Sequence, residues 1–225
     1  MTELLERAPM IGVIIPAYRV EKHIARVVKN IPEFVHKIIV VNDASPDHTG
    51  KVLATMNDSR LIVVTHAENR GVGGAMISGY DRALEEGVDI LVKMDGDDQM
   101  DPERIIDLVH PLIEKKADFT KGNRFLDQTQ LETMPLIRRI GNWGLTFLLK
   151  AASGYWKIFD PTNGFTAMNE KVWEKVNQNQ IACDYFFESS LLIELRSHQV
   201  VIQDVAISAR YQDEESSLSI VKVLL

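Results

Sequence analysis

Residues 89–102 read DILVKMDGDDQMDP. An apolar run through Ile90, Leu91 and Val92 ends in Asp95, Asp97 and Asp98, and Asp101-Pro102 follows three residues later. A short apolar run of this kind predicts a strand covered on both faces. Asp followed by Pro is a helix-start signal, because Asp caps free N–H groups and Pro suits the first helical position. The stretch therefore predicts one strand–loop–helix unit, with four acids in and beside its loop.

Three similar units precede it. MIGVIIP (10–16) leads into a helical stretch from about Val20 to Asn30. KIIVVND (37–43) leads through Ala44-Ser45-Pro46 into a helix capped by Ser45 or Asp47, and RLIVVTH (60–66) leads through ENRGVGG into a helix ending near Glu86. Downstream, ADFTKGNRF (117–125), NGFTAMN (163–169) and VVIQDVAISARY (200–211) predict further strands, with helices over 135–156 and 184–197. Apolar strands alternating with helices specify an α/β fold with a mostly parallel sheet covered on both sides. With 225 residues and no repeat, low-complexity tract or linker, one domain is expected.

The composition is that of a globular protein, 45% hydrophobic and 25% charged. A net charge of −7 argues against nucleic acid or an anionic membrane as a partner of the whole surface. The single cysteine, Cys183, makes an internal disulfide impossible, which suits a reducing compartment, and it is expected to be a packed core residue. The acidic N-terminus MTELLERAP does not resemble a secretory signal. No run approaches the roughly 18–20 apolar residues of a membrane span.

Ligands of open α/β sheets bind at the carboxyl ends of the strands, which is where the acids gather. A solvated helix N-terminus accounts for Asp101 and for Asp98. It does not account for Asp95 and Asp97 on the strand side. Two carboxylates separated by Gly96 can converge on one hard divalent cation, Mg²⁺ or Mn²⁺, with Gln99 offering a neutral oxygen. A calcium hand is excluded, since Met100 and Ile106 stand where it needs Gly and Glu. NRGVGGAMISG is no dinucleotide fingerprint, because Met76 replaces its last glycine and it follows the third strand.

The segments IIPAYRVEKHI, VVNDASPDHT, NRGVGGA, MDGDDQMDP and DPTNGFTAM, in this order and spacing, resemble the family 2 glycosyltransferases. The resemblance spans nearly the whole chain. It is strongest to the branch of dolichyl-phosphate mannosyltransferases and polyprenyl-phosphate glycosyltransferases, whose late motif ISARYQDEESSLS also fits. It implies a single GT-A (Rossmann-like) domain over 1–225, with a donor and metal half at about 10–130 and an acceptor half at about 131–225. The implied reaction is inverting, metal-dependent transfer from a nucleotide sugar, GDP-mannose or a UDP-sugar, to a polyprenyl or dolichyl phosphate. Pro16, Ala17, Tyr18, Glu21 and Asp43 would hold the donor with Asp95, Gly96 and Asp97, and Asp95, Asp97 and Gln99 would hold the metal. Two departures fall where the base is read: Arg19 and Val20 replace Asn-Glu, and Asn42 replaces the first Asp of an Asp-Asp pair.

Residues 115–157 hold eight Lys or Arg, Lys121 among them, against three acids, inside an otherwise acidic chain. The same region carries Trp143, Phe147, Tyr155 and Trp156, so 135–156 is expected to be an interfacial helix on a membrane surface. The resemblance makes Arg124, Arg138 and Asn142 acceptor-phosphate contacts and Arg210 a second cation; Arg124 and Arg210 join Asp95 and Asp97 as the catalytic set. A lipid phosphate is already ionised and needs cations, whereas a hydroxyl acceptor needs a base, for which Asp160, Asp184 and Glu188 are candidates. A hydroxyl-directed family 2 transferase and a non-catalytic nucleotide- or metal-binding subunit of a membrane complex are the alternatives. The apolar end SIVKVLL suggests the catalytic domain of a longer membrane protein, working at the cytoplasmic face. Met76, Met94 and Met100 are read as packing.

Overall fold

A computed structural model describes residues 7–123, 155 and 163–207. Its centre is a seven-stranded sheet in the order β3-β2-β1-β4-β6-β5-β7. The strands are β1 Ile11–Ala17, β2 Lys37–Asn42, β3 Leu61–Thr65, β4 Ile90–Lys93, β5 Phe119–Asn123, β6 Thr166–Asn169 and β7 Ile202–Ala206. β1 runs parallel to β2 and β4, β2 to β3, and β5 to β7. β6 alone is antiparallel, to both β4 and β5. The mostly parallel α/β sheet expected from the apolar runs is the one found.

Helices α1 Ile24–Lys29, α2 Thr49–Ala54, α3 Gly71–Glu85, α4 Ile105–Ile113, α5 Glu170–Trp173 and α6 Phe187–Ser197 cover the sheet. Alternate residues of β1 separate the two cores. Val13 and Ile15 face the layer of α1 and α4 with Ile24, Val27 and Leu108. Ile14 faces the layer of α3 and α6 with Tyr80, Leu191 and Leu195. β1, β2 and β4 are buried on both faces, which is why they read as continuous apolar runs rather than as alternating ones.

The start after Asp101 follows the predicted chemistry, whereas at α2 the N-cap is His48, whose side chain makes no cap bond, and Asp47 acts from the residue before it. The Asp101 carboxylate accepts the Glu103 N–H at 3.2 Å, with Pro102 opening a 3₁₀ turn that runs into α4. Ahead of α2, Asp47 accepts the Thr49 N–H at 3.0 Å and a hydrogen bond from the Ser45 hydroxyl at 2.6 Å. Of the helix expected over 135–156, only Tyr155 lies within the described residues, and its hydroxyl donates to the Val200 carbonyl at 3.0 Å. No described helix is long and apolar enough to cross a membrane.

Two elements were not foreseen in this form. β6 begins only at Thr166, and its antiparallel register sets Thr166 opposite Lys93, so Asn163, Gly164 and Phe165 run past the carboxyl end of β4. Cys183 is exposed rather than packed in the core. Its backbone carries the packing, since the Cys183 carbonyl accepts the Gly73 N–H at 2.8 Å at the start of α3. A Cβ on Gly73 would stand 2.1 Å from the Ala182 carbonyl oxygen, so only glycine lets the 182–184 turn come this close.

Candidate active site

The carboxyl ends of β1, β2 and β4 meet at one edge of the sheet, and the acidic loop leaves from β4. Lys93 is the last residue of that strand, with its side chain only 2% exposed. Its ammonium donates to Asp95 Oδ1 at 2.7 Å and pairs with Glu188 Oε1, in the first turn of α6, at 3.1 Å. Burial alone would depress the Lys93 pKa, but the two carboxylates more than reverse this and hold it above the ordinary lysine range. Gly164 packs against the pair. A Cβ there would stand 2.4 Å from Lys93 Nζ and 3.0 Å from Asp95 Oδ2.

The four acids of the loop have four different situations. Asp95 is held by Lys93, and its N–H points at Met100 Sδ, 3.3 Å away. Asp98, in left-handed backbone at φ 66°, is buried in an ion pair with Arg26 of α1. Asp101 caps the following helix. Asp97 has no ion-pair partner among the described residues, whereas Asp95 and Asp98 each have one. Its carboxylate accepts the Gln99 N–H, at 3.1 Å. Burial, and then the charge of Asp95, push its carboxyl above the ordinary range. A carboxylate whose ionised form is disfavoured in this way is one a cation would stabilise.

No three His, Cys, Asp or Glu side chains converge on a metal position among the described residues. Asp95 and Asp97 together fit a smaller role, that of Mg²⁺-like sites in which one or two carboxylates hold an ion completed by substrate phosphates and water. Gln99 stands exposed at the rim of the same loop.

Of the residues read as donor-binding, Tyr18, Glu21 and Asp43 lie on two neighbouring loops that are tied together. The Arg19 N–H donates to Ser45 Oγ at 2.7 Å, the Val20 N–H to Thr49 Oγ1 at 3.1 Å, and the Glu21 N–H to Asp47 Oδ2 at 3.2 Å. Glu21 in turn accepts the His48 N–H at 2.7 Å, so its carboxylate acts here as a strut. Arg19 and Ala44 both sit in left-handed backbone, at φ 58° and 50°, one on each loop. Burial raises the Asp47 pKa, but hydrogen bonds from Ser45 and Thr49 win and hold it at about 2. Pro16 and Ala17 end β1, and Tyr18 beside them is exposed, with the Arg19 guanidinium 5.4 Å from its ring centre. An open cleft of about 510 Å³ is lined by Arg19, Glu21, Lys22, His23, Pro46 and Asp47. The Asp95–Asp97 pair is not among its walls.

Asp43 is buried at the end of β2. Its Oδ1 lies 2.6 Å from His66 Nδ1 and accepts the Arg70 N–H at 2.9 Å. His66 Nε2 lies 2.9 Å from Ser78 Oγ on α3. With Nδ1 donating to the carboxylate, Nε2 accepts the serine hydroxyl. The line Asp43–His66–Ser78 fixes the carboxylate from behind.

On the acceptor side, Arg124, Arg138, Asn142, Asp160 and Arg210 lie outside the described residues. Lys121, one of the eight basic residues of 115–157, is buried, and its ammonium donates to the Asn163 carbonyl. Asp184 is exposed and caps its own turn by accepting the Phe186 N–H at 2.9 Å. Tyr185 and Phe186, on the same turn, are also exposed.

Sequence reasoning missed Lys93, Arg26, His66 and Gly164. Lys93 had a legible signal, since a lysine inside a strand apolar on both faces requires a buried partner. Arg26 and His66 carried none, because their partners lie 72 and 23 residues away in the chain.

The model of the family described as glycosyl transferase family 2 matches residues 12–176. A protein of Methanococcus voltae named UDP-N-acetylglucosamine–dolichyl-phosphate N-acetylglucosaminyltransferase is 31% identical, over 91% of this chain and 87% of its own. The dolichol-phosphate mannosyltransferase of Pyrococcus furiosus is 28% identical over 85% of this chain, which spans 54% of that protein. Among solved structures, glucosyl-3-phosphoglycerate synthase of Mycobacterium tuberculosis superposes with a TM-score of 0.68 at 20% identity, over 93% of this chain and 74% of that one. At that identity the likeness speaks for the GT-A fold.

Proposed function

This chain belongs to glycosyl transferase family 2 and is a glycosyltransferase, and from there we propose that it moves a sugar from a nucleotide-sugar donor to a polyprenyl or dolichyl phosphate, with inversion and with a divalent cation bound. The two relatives above differ in the sugar they are named for and share dolichyl phosphate. The lipid phosphate is thus the better supported half of the reading. The observation that carries it is the state of Glu188, which the Lys93 ammonium already holds at 3.1 Å. A hydroxyl acceptor needs a free carboxylate to take its proton. An ionised phosphate does not.

In this reading Asp95 and Asp97 hold the cation, with Gln99 at the rim. The cation's chemistry is to neutralise charge that builds on the β-phosphate as the sugar–oxygen bond breaks. Lys93 and Gly164 keep the Asp95 carboxylate in one position. The two tied loops, with Tyr18 and Asp43, form the wall where base and ribose lie. Arg124, Arg138, Asn142 and Arg210 are the proposed phosphate contacts of the acceptor, working at a membrane surface.

The test offers the chain one lipid in two forms, polyprenyl phosphate and the free polyprenol, with radiolabelled UDP-GlcNAc, UDP-glucose or GDP-mannose and Mn²⁺. The expected outcome is label in the organic phase with the phosphate only. Equal or preferential transfer to the free alcohol refutes the reading.

A further inference from the structure

Lys93 and Glu188 form a buried pair whose place beside Asp95 suggests more than packing. A lysine with 2% side-chain exposure is costly unless it is paired. One carboxylate, that of Asp95, would have met that need. The structure provides a second, Glu188, from a different element.

We propose that Lys93 and Glu188 are positioning residues of the cation site: Lys93 fixes Asp95, and Glu188 cancels the charge that Lys93 would otherwise subtract from the site. This rests on the divalent-cation reading above. Asp95, Asp97, Glu188 and Lys93 together carry three negative charges and one positive, a balance of two that one divalent cation neutralises. Without Glu188 the ammonium would offset half of the charge of the two ligands. Without Lys93, Asp95 would keep its charge and lose its anchor.

The geometry supports both halves. Lys93 engages Oδ1 of Asp95 at 2.7 Å and leaves Oδ2 to another partner. Glu188 is anchored by α6, whose Leu191, Leu192 and Leu195 are buried in the second core. Backbone at Gly164 closes the remaining side, so Lys93 has little room to move. Outer groups that orient a metal ligand typically change metal affinity by about 10–100-fold when removed.

The experiment measures Mn²⁺ binding to the chain directly, from the electron paramagnetic resonance signal of free Mn²⁺. Glu188→Gln leaves Lys93 uncompensated and is expected to weaken binding by about 10–100-fold. The double variant Lys93→Met with Glu188→Gln loses the anchor of Asp95 but restores the balance of two negative charges, and is expected to bind Mn²⁺ more tightly than Glu188→Gln and more weakly than wild type, a coupling that a double-mutant cycle reads. Glu188→Asp keeps the charge and is expected to bind like wild type. If Glu188→Gln does not fold, the double variant and Glu188→Asp carry the test, and weak binding in both overturns the proposal.

Unchanged Mn²⁺ affinity in Glu188→Gln also overturns it, and loss of turnover with that result would make Glu188 an acceptor base. So does a double variant as weak as Glu188→Gln. Asp97→Asn separates the two layers of the argument. If wild type does not bind Mn²⁺, or Asp97→Asn binds it equally well, the cation reading itself falls and this proposal falls with it.

Discussion

Gly164→Ala tests the packing on which the site depends. The new Cβ would stand 2.4 Å from Lys93 Nζ and 3.0 Å from Asp95 Oδ2. On an exposed surface a lysine tip would swing aside at little cost. Here the tip is held by two carboxylates and has nowhere to go. The alternative, a shift of the 163–165 backbone, is opposed from its own side. Phe165 is 1% exposed, its N–H donates to Asn163 Oδ1 at 3.0 Å, and the Asn163 carbonyl accepts from buried Lys121. Overpacking of this kind costs about 1–3 kcal/mol, whereas driving Lys93 off its partners costs about 3–5 kcal/mol. The backbone therefore yields before the ion pair does. For a chain of this size that corresponds to a fall in Tm of about 2–12 °C, read by circular dichroism. Crowding of Oδ2 adds a weaker response to Mn²⁺. A Gly164→Ala variant with wild-type Tm and wild-type Mn²⁺ affinity would refute the reasoning.

Asp97→Asn should abolish stabilisation by Mn²⁺ with nucleoside diphosphate and yet raise the Tm of the protein without ligands. The folded state holds the Asp97 proton more tightly than the unfolded chain does, so ionising it costs stability as pH rises through the folded value. The gain in Asp97→Asn should be present at neutral pH and vanish in acid, below both values. Asp98→Asn should lower stability by about 1–3 kcal/mol through loss of the Arg26 pair and leave Mn²⁺ affinity unchanged, as titration of both would show. Asp47→Ala should cost about 1 kcal/mol at neutral pH through loss of the hydrogen bonds it accepts from the Thr49 N–H and the Ser45 hydroxyl. Because the Asp47 pKa is lowered to about 2, that contribution exists above the unfolded value and is lost as pH falls through the folded one, so variant and wild type should converge near pH 2 in urea unfolding.

The sheet was readable because its causes are local. Each of the four leading strands is an apolar run followed by its own helix signal, and Asp101-Pro102 marks a start wherever it occurs. β6 was harder to place, since Thr166–Asn169 carries nothing that says antiparallel; its direction follows from pairing with both β4 and β5. The acids at 95 and 97 were legible as a site because nothing in a helix terminus explains them. Their neighbours were not, because the feature that separates Asp98 from Asp97 is Arg26 on another element. The exposure of Cys183 was misjudged for a similar reason: what fixes its position is a glycine at 73 that admits the backbone and leaves the side chain outside.

Lys93 ties these threads together. A strand buried on both faces selects Ile, Leu and Val, and β4 obeys that rule until its last residue. A lysine there is unfavourable for folding taken alone, and it stays because Asp95 and Glu188 make its charge tolerable. Replacing such a pair by apolar side chains is often neutral or stabilising, so stability does not account for its presence. What an apolar pair could not do is hold one oxygen of Asp95 while leaving the other available beside Asp97. The four acids at the end of β4 are thus not one feature but several: Asp101 serves the helix, Asp98 serves the loop through Arg26, Asp95 is aimed by a buried cation, and Asp97 has no charge to balance it among the described residues.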